Sequence, residues 1–356
     1  MKVGIMGLPQ TGKKTLFQIL TGNEVREQAG PPKPVPGAAN LLDRRFDDMV
    51  AMYAPKKEVH ARIDLMLLPK MEQENIAKGD IFRDIADVDA VCHVVRAFED
   101  DAVYHAQGSV DPLRDASMVN SELIIHDQIF VEKRIERIEH MVKKKKDEDQ
   151  LKELALMHKM LTHLEGETPL RLLELLPEEE RLIRSYPFIT RKEMIIVLNV
   201  GEEDLGNGEL MESFKEMCRR EKIELMQVCA GMESEIALLD TDAERAEFMK
   251  DLGIEASALE MLTGLCLKSL GLISFLTVGP DEVRQWLVKR GAVAPVAAGV
   301  IHSDLQRGFI RAEVIKYDEL ISHGSEASLK KAGKVYVEGK EYIVEDGDIL
   351  NIRFKV

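Results

Sequence analysis

A glycine-bounded loop near the start of the chain carries the residue types best suited to chemistry. It reads Gly7, Leu8, Pro9, Gln10, Thr11, Gly12, Lys13, which is the G-x-x-x-x-G-K spacing. Between a strand and a helix, this spacing turns several backbone N–H groups towards one point, and its lysine reaches the outer phosphates of a nucleotide. An ordinary glycine-rich turn is the alternative. Because a strand-length apolar run precedes the loop and a helical pattern follows it, we predict a phosphate-binding site.

The position after the motif lysine departs from the magnesium-dependent pattern. A Ser or Thr hydroxyl normally binds the cation there, whereas this chain has Lys14. Thr15 comes one residue later, and on a helix its side chain points about 100° away. Two interpretations of Lys14 stay open: its ammonium stands where the metal would be, or its side chain turns into solvent.

Other magnesium-holding parts are also missing. Phosphoryl-transfer switches use a hydroxyl that follows the first helix and an Asp at the end of a later strand. Residues 22–108 contain no Ser or Thr. The apolar run 63–68 leads into Pro69-Lys70 without a D-x-x-G, and Asp64 lies inside the run. We therefore predict no metal ligands and no catalytic residues, and we expect hydrolysis to be weak or absent.

The elements that position this loop alternate between strand and helix. Helical patterns separate short apolar runs at 2–6, 63–68, 90–95, 194–198 and 225–229. Such alternation is typical of an α/β fold with a parallel sheet flanked by helices.

Residues 115–185 interrupt this alternation. Apolar residues there recur every three or four positions, which predicts an inserted antiparallel helical hairpin. The lysines at 143–146, near its turn, are either a solvated helix end or an RNA contact. Before the insertion, the proline-rich stretch 31–37 predicts an extended surface loop.

The C-terminal part has a different pattern. Alternating segments at 309–315, 334–337, 342–344 and 349–354 are separated by turn signals. They predict a small mixed β domain. We therefore divide the chain into a phosphate-binding domain at 1–272, interrupted by the insertion at 115–185, and a second domain at 273–356.

The charge of the chain is unevenly distributed. Its 356 residues include 48 Lys+Arg and 63 Asp+Glu, a net charge of −15, which argues against a surface that coats nucleic acid. Residues 273–356 hold 12 basic and 12 acidic residues, so residues 1–272 carry the whole excess. No run is apolar and long enough for a signal peptide or a membrane span, and we expect a cytoplasmic protein. The candidate RNA- or partner-binding residues of the domain at 273–356 are Arg284, Lys289, Arg290, Arg307 and Arg311. Whether they cluster on one face or are scattered over the surface stays open.

Several blocks, in order along the chain, carry a resemblance to a known family. They are the loop at 7–15, the segments 94–100 and 111–115, Asn199-Val200-Gly201-Glu202, and the segments 271–280, 297–304, 308–314 and 337–348. The sequence resembles the YchF-type (Obg-like) P-loop ATPases. This translation-factor-class family has a G-domain-like sheet, a helical insertion and a C-terminal TGS domain of the β-grasp fold. The resemblance covers nearly the whole chain.

The resemblance implies a nucleotide site. Residues 7–15, including Lys14 and Thr15, would hold the phosphates of ATP or GTP. Asn199 and Glu202, from the family's N-x-x-E motif, would face the base, and this motif accompanies a preference for ATP over GTP. An ordinary strand-end turn is the alternative. Backbone groups would also reach the base from Cys229, Ala230 and Gly231. The TGS domain implies contact with ribosomes or other RNA–protein surfaces.

Departures from the family pattern concern the metal-dependent half of the site. Lys14 replaces a serine, the stretch 31–37 replaces the first switch, and 71–80 replaces the glycine-rich second switch. Three functions therefore stay open. The first is a nucleotide-binding, ribosome-associated protein with weak or absent hydrolysis. The others are an active Mg²⁺-dependent ATPase whose nucleotide state gates ribosome binding, and a nucleotide-independent scaffold.

Overall fold

The computed structural model describes residues 1–25, 32–72, 75–76, 79–105, 107–144, 147–254 and 256–355, with Asp242 described by its backbone alone. Residue 31 of the proline-rich stretch, residues 145–146 of the lysine run and parts of the segment 71–80 lie outside these ranges. The chain divides into two units. One is Met1–Ala38 with Asp64–Ala258, and the other is Ala39–Ile63 with Leu259–Val356.

Strands and helices are numbered here in chain order over the described residues. The strands are β1 (Lys2–Met6), β2 (Val35–Asn40), β3 (Glu58–Val59), β4 (Arg62–Leu67), β5 (Ala90–Ala97), β6 (Glu193–Val200), β7 (Glu224–Val228), β8 (Leu272–Thr277), β9 (Val283–Lys289), β10 (Phe309–Lys316), β11 (Tyr336–Glu338) and β12 (Asp348–Phe354). The helices are α1 (Lys13–Thr21), α2 (Arg44–Tyr53), α3 (Asp80–Ala86), α4 (Pro112–Lys144), α5 (Glu148–Glu165), α6 (Pro177–Ile183), α7 (Gly208–Glu221), α8 (Ala230–Ala237), α9 (Asp242–Asp251), α10 (Ala258–Ser269), α11 (Ala294–Ile301), α12 (Ser303–Arg307), α13 (Tyr317–His323) and α14 (Glu326–Lys331). Short 3-10 turns lie at Leu170–Leu172 and Glu202–Asp204.

The sheet of the first unit has the strand order β2-β4-β1-β5-β6-β7. Strand β1 pairs in parallel with β4 and β5, and β6 pairs in parallel with β5 and β7. Helices cover both faces of such a sheet, which is why β5 and β6 are almost entirely buried and apolar. The predicted parallel α/β sheet is confirmed. Its strands end at one edge, where ligands of this fold class bind.

The insertion is a pair of helices, α4 and α5, that pack along each other through Val131, Ile138, Leu156 and Met160. This confirms the predicted helical hairpin. The buried carboxylate of Asp127 fixes the return to the sheet. It accepts hydrogen bonds from the N–H groups of residues 189 and 190 and from the Thr190 hydroxyl, at 2.7–3.1 Å.

The sheet of the second unit is mixed, with the order β11-β10-β12-β8-β9-β3. Helix α11 packs on one face, where Ala297 meets Phe275 and Leu350. This mixed β fold confirms the prediction for the C-terminal part. Two details of the prediction are wrong. Residues 342–344 make a single isolated bridge, between Ile343 and Val293, instead of a strand. Residues 35–37 open strand β2 instead of forming a loop.

The segment 39–63 belongs to the second unit, although it runs from the end of β2 to the start of β4, two strands of the first sheet. Its helix α2 buries Phe46 against Val283 and Ile349 on the face of the sheet opposite α11. Asp43 accepts hydrogen bonds from Arg45 and from the Gln285 side chain, both at 2.9 Å. The observed division of the chain therefore differs from the predicted one, which placed a single boundary between residues 272 and 273. A local apolar pattern shows that helix α2 must be covered, but it does not show by which sheet.

Across the described parts of the chain, every helix is too short or too polar to cross a lipid bilayer.

Candidate nucleotide site

The loop at 7–13 follows β1 directly and ends in the first turn of α1. Gly12 precedes the helix at φ 84°, a left-handed conformation that glycine adopts without strain. A Cβ on Gly7 would lie 2.5 Å from the carbonyl oxygen of Val94, and one on Gly12 would overlap the Asn199 amide. Both glycines are therefore required by close packing. The helix begins at Lys13, the last residue of the motif.

Lys13 is buried in this loop, and its Nζ donates a hydrogen bond to the carbonyl oxygen of Leu8 at 2.8 Å. Burial, and then the nearby charge of Lys70, lower the pKa of Lys13 to about 7; Lys14 acts in the same direction and Glu72 in the opposite one. An ammonium held by only a carbonyl oxygen is poorly compensated. It would gain a stronger partner in a phosphate oxygen.

The hydroxyl of Thr11 is also directed inwards, and it donates to the carbonyl oxygen of Leu8 at 3.2 Å. Pro9 and Gln10 form the outer part of the loop, where Gln10 is exposed with φ 61°. Lys14 is exposed on the first turn of α1, and Thr15 is half-buried.

The usual magnesium ligands are missing from the positions beside the loop. The Ser/Thr position holds Lys14, and β4 ends in Leu67, followed by Leu68 and Pro69. Asp64 pairs in register with Lys2 at the start of β1, so it lies at the sheet edge away from the loop. Within the described ranges, no three His, Cys, Asp or Glu side chains are grouped to hold a metal ion.

Asn199 joins two parts of the site. Its Nδ2 donates to the carbonyl oxygen of Thr11 at 3.0 Å, and its Oδ1 accepts from the N–H of Ala230 at 3.0 Å. The side chain is buried, so both of these hydrogen bonds are shielded from water. This amide therefore links the phosphate loop to the start of α8, and its contact with a base stays a prediction.

The other predicted base-side residues lie around this junction. Cys229 is buried immediately before α8, and Gly231 is exposed in its first turn. Glu202 is exposed in the 3-10 turn after β6. Asn199 and Glu202 therefore lie at the carboxyl end of β6, and residues 229–231 lie at the carboxyl end of the neighbouring strand β7.

Lys70 is the charged residue that sequence reasoning did not assign to the site. The backbone N–H of Leu68 donates to Ile5 at 2.9 Å, and that of Met71 donates to Gly7 at 3.3 Å. The chain after β4 thus runs beside the phosphate loop and brings Lys70 next to it. The parallel pairing of β1 with β4 is the signal that would have found it, but the sequence does not reveal which strands are neighbours.

The five basic candidates of the second unit do not occupy one strand or one face. Arg284 lies on β9 with its guanidinium 4.1 Å above the Trp286 ring. Lys289 is five residues later on β9, so it points to the opposite face, and its Nζ donates to Leu270. Arg290 follows β9, Arg307 ends α12, and Arg311 lies on β10, which β12 and β8 separate from β9.

Comparison with known proteins identifies the family. A family model described as "Protein of unknown function (DUF933)", YchF-GTPase_C, matches residues 272–355. The chain is 39% identical to the Ribosome-binding ATPase YchF of Bacillus subtilis and 38% identical to that of Escherichia coli O157:H7, over 100% of this chain and 99–100% of theirs. The chain belongs to the YchF family. The solved structure of the Schizosaccharomyces pombe YchF GTPase has a TM-score of 0.84 at 30% identity, covering 99% of this chain and 97% of that one.

Proposed function

We propose that this protein binds ATP, with GTP as the weaker ligand, and associates with ribosomes in the cytoplasm while hydrolysing nucleotide slowly or not at all. The observation that carries the binding part is the buried Lys13 in a complete phosphate loop. Among the described residues its ammonium has a backbone carbonyl as hydrogen-bond partner and no carboxylate bonded to it, and burying a charge is costly unless a partner compensates it. The nucleotide-independent scaffold is therefore disfavoured.

Slow hydrolysis follows from the groups that surround the phosphates. Phosphoryl transfer depends on positioned groups and metal ions that neutralise charge developing on the phosphoryl oxygens. Here Lys14 occupies the hydroxyl position, and no carboxylate follows β4 before Glu72. The metal-dependent alternative needs Mg²⁺ held by Thr15 and waters, or by Glu72 or Glu74, of which Glu74 lies outside the described residues.

Single-turnover hydrolysis distinguishes these two functions. With enzyme in excess over ATP and Mg²⁺ present, we expect product to form barely faster than in buffer. Lys13→Ala is the matched control for contaminating ATPases. A rate that is clearly above that control would support the active ATPase.

Association with ribosomes is proposed because the Bacillus subtilis and Escherichia coli relatives are named ribosome-binding ATPases. The second unit is the candidate for this contact, because the charges of residues 273–356 are balanced and Arg284 combines a cation with an aromatic face. Deletion of residues 273–356 would remove the strands on which helix α2 packs, so a point substitution is the sharper test.

Co-sedimentation with purified ribosomes tests this contact. Arg284→Glu should reduce the bound fraction several-fold, whereas Lys331→Glu, an equal charge change on α14, should not. Equal binding by both variants and the wild type would remove Arg284 from the contact.

A further inference from the structure

The edge of the sheet at which nucleotides bind carries lysines in place of magnesium ligands. The first is Lys14, in the position of the loop hydroxyl. The second is Lys70, the first charged residue after β4. A lysine offers three donors and no acceptor, so it cannot bind a cation, but it does bind phosphate oxygens.

The position of Lys70 is fixed by backbone hydrogen bonds on both sides. Met71 is bonded to Gly7, and the carbonyl oxygen of Lys70 accepts hydrogen bonds from the N–H of Glu72 at 3.0 Å and from the Asn75 side chain at 2.9 Å. Its side chain is about half exposed, and its Nζ lies 3.9 Å from the Glu72 carboxylate. That separation is long for an ion pair, so the ammonium retains donors for another partner.

The electrostatic balance near the loop is cationic. Among the described residues, the charges that act on Lys13 are those of Lys70 and Lys14 and, in the opposite direction, the carboxylate of Glu72. His93 on β5 pairs in register with Met6, directly before the loop. Burial, followed by the charge of Lys13, lowers the pKa of His93 to about 4, so it is neutral at pH 7. Like charges brought this close repel one another, and a polyphosphate would relieve that repulsion.

We propose that Lys70, together with Lys13 and Lys14, binds the outer phosphates directly and replaces the divalent cation, so that the protein binds metal-free ATP. This inference rests on the proposed nucleotide site and adds to it a phosphate ligand from a different strand. It also gives the segment after β4 a role in phosphate recognition in place of metal binding. Because the magnesium ion of Mg–ATP would compete with these ammonium groups for the same oxygens, Mg²⁺ should not strengthen binding.

Fluorescence anisotropy with ATP labelled on its ribose tests the inference in the full-length protein. Titrations are made in EDTA and again in excess Mg²⁺, for the wild type and for Lys70→Met, Lys70→Arg, Lys14→Met and Lys152→Met. Lys152 is an exposed lysine on α5 of the inserted hairpin, and it provides the charge-matched control.

We expect the wild type to bind in EDTA at least as tightly as in Mg²⁺. Lys70→Met should weaken binding in EDTA about tenfold, the usual effect of one charged hydrogen bond, and Lys14→Met should weaken it by a similar factor. Lys70→Arg should restore most of the affinity, and Lys152→Met should match the wild type.

The possible results separate the inference from the proposed function. Absence of binding in both EDTA and Mg²⁺ would contradict the nucleotide site itself. Binding that requires Mg²⁺ would overturn the inference and leave the site standing. Wild-type affinity of Lys70→Met in EDTA would show that Lys70 is only a surface partner of Glu72. Thermal unfolding of each variant checks that it is folded, and Lys14→Met tests the same charge effect if Lys70→Met is unstable.

Discussion

The strands β1 and β4 lie side by side and end at the same edge of the sheet, but the segments that follow them are very different. After β1 comes a complete phosphate loop with two tightly packed glycines and a buried lysine. Strand β4 ends at Leu67, and the residues that follow it, Leu68, Pro69 and Lys70, include no carboxylate. In the proposed function, phosphate binding and metal binding are separable at this edge, because the phosphate loop follows β1 whereas the carboxylate of a magnesium site would follow β4.

The largest expected effect comes from removing the buried lysine of the phosphate loop after β1. Lys13→Ala should weaken ATP binding at least about 100-fold, because Lys13 would donate charged hydrogen bonds to more than one phosphate oxygen. Equilibrium binding of labelled ATP measures the loss, with Lys152→Ala as the control. Unchanged affinity would favour the scaffold.

A smaller loss should follow from loosening the loop without touching its charges. Asn199→Ala removes the hydrogen bonds to Thr11 and Ala230 and leaves a buried carbonyl and a buried N–H unpaired. We expect the free energy of unfolding to fall by about 2 kcal/mol and ATP affinity to fall about tenfold. Urea denaturation and a binding titration measure the two effects.

The control for this substitution is Asn351→Ala, which changes an exposed asparagine on β12. If Asn199→Ala lowered affinity but left stability unchanged, Asn199 would act on the ligand directly instead of through the loop.

The pH dependence of binding tests the state of Lys13. Its pKa is about 7 in the free protein, set by burial, Lys70, Lys14 and Glu72, with a neutral His93 nearby. Bound phosphate favours the charged form and raises this pKa. Binding above pH 7 therefore takes up a proton, and affinity should fall about fivefold between pH 7 and pH 8.

Calorimetry in buffers of different ionisation enthalpy measures this proton uptake. The remaining affinity of Lys13→Arg should be independent of pH over the same range, since arginine stays charged. A wild-type affinity that rises with pH would contradict the assigned direction.

The smallest effect should come from restoring one of the missing magnesium ligands. Lys14→Ser returns a hydroxyl to the position where magnesium-dependent P-loops have one, but it adds no carboxylate after β4. We expect Mg²⁺ to improve ATP binding of this variant about threefold, and not to improve that of Lys14→Met. Titrations with and without Mg²⁺ measure the ratio, and equal ratios for both variants would remove position 14 from the difference.

The sequence was sufficient where function is carried by contiguous residues. The loop at 7–13 was predicted because spacing, strand and helix follow one another directly, and the missing D-x-x-G was visible for the same reason. The hairpin was predicted because its apolar period is repeated over many turns.

Features that depend on distant residues could not be predicted. Lys70 joins the site only through the pairing of β1 with β4, and the amide of Asn199 is used by two segments far from it in the chain. Helix α2 carries an apolar face, but only the fold shows that this face covers the second sheet. In each case the determining contact links residues whose separation in sequence gives no periodic signal.

Calorimetric titration of the full-length protein with ATP, in EDTA and again in excess Mg²⁺, tests most directly whether phosphate binding at this edge is independent of the metal ion. We predict one bound ATP per chain in EDTA, with an affinity at least equal to that in Mg²⁺. Binding that is detectable only in Mg²⁺ would contradict this prediction.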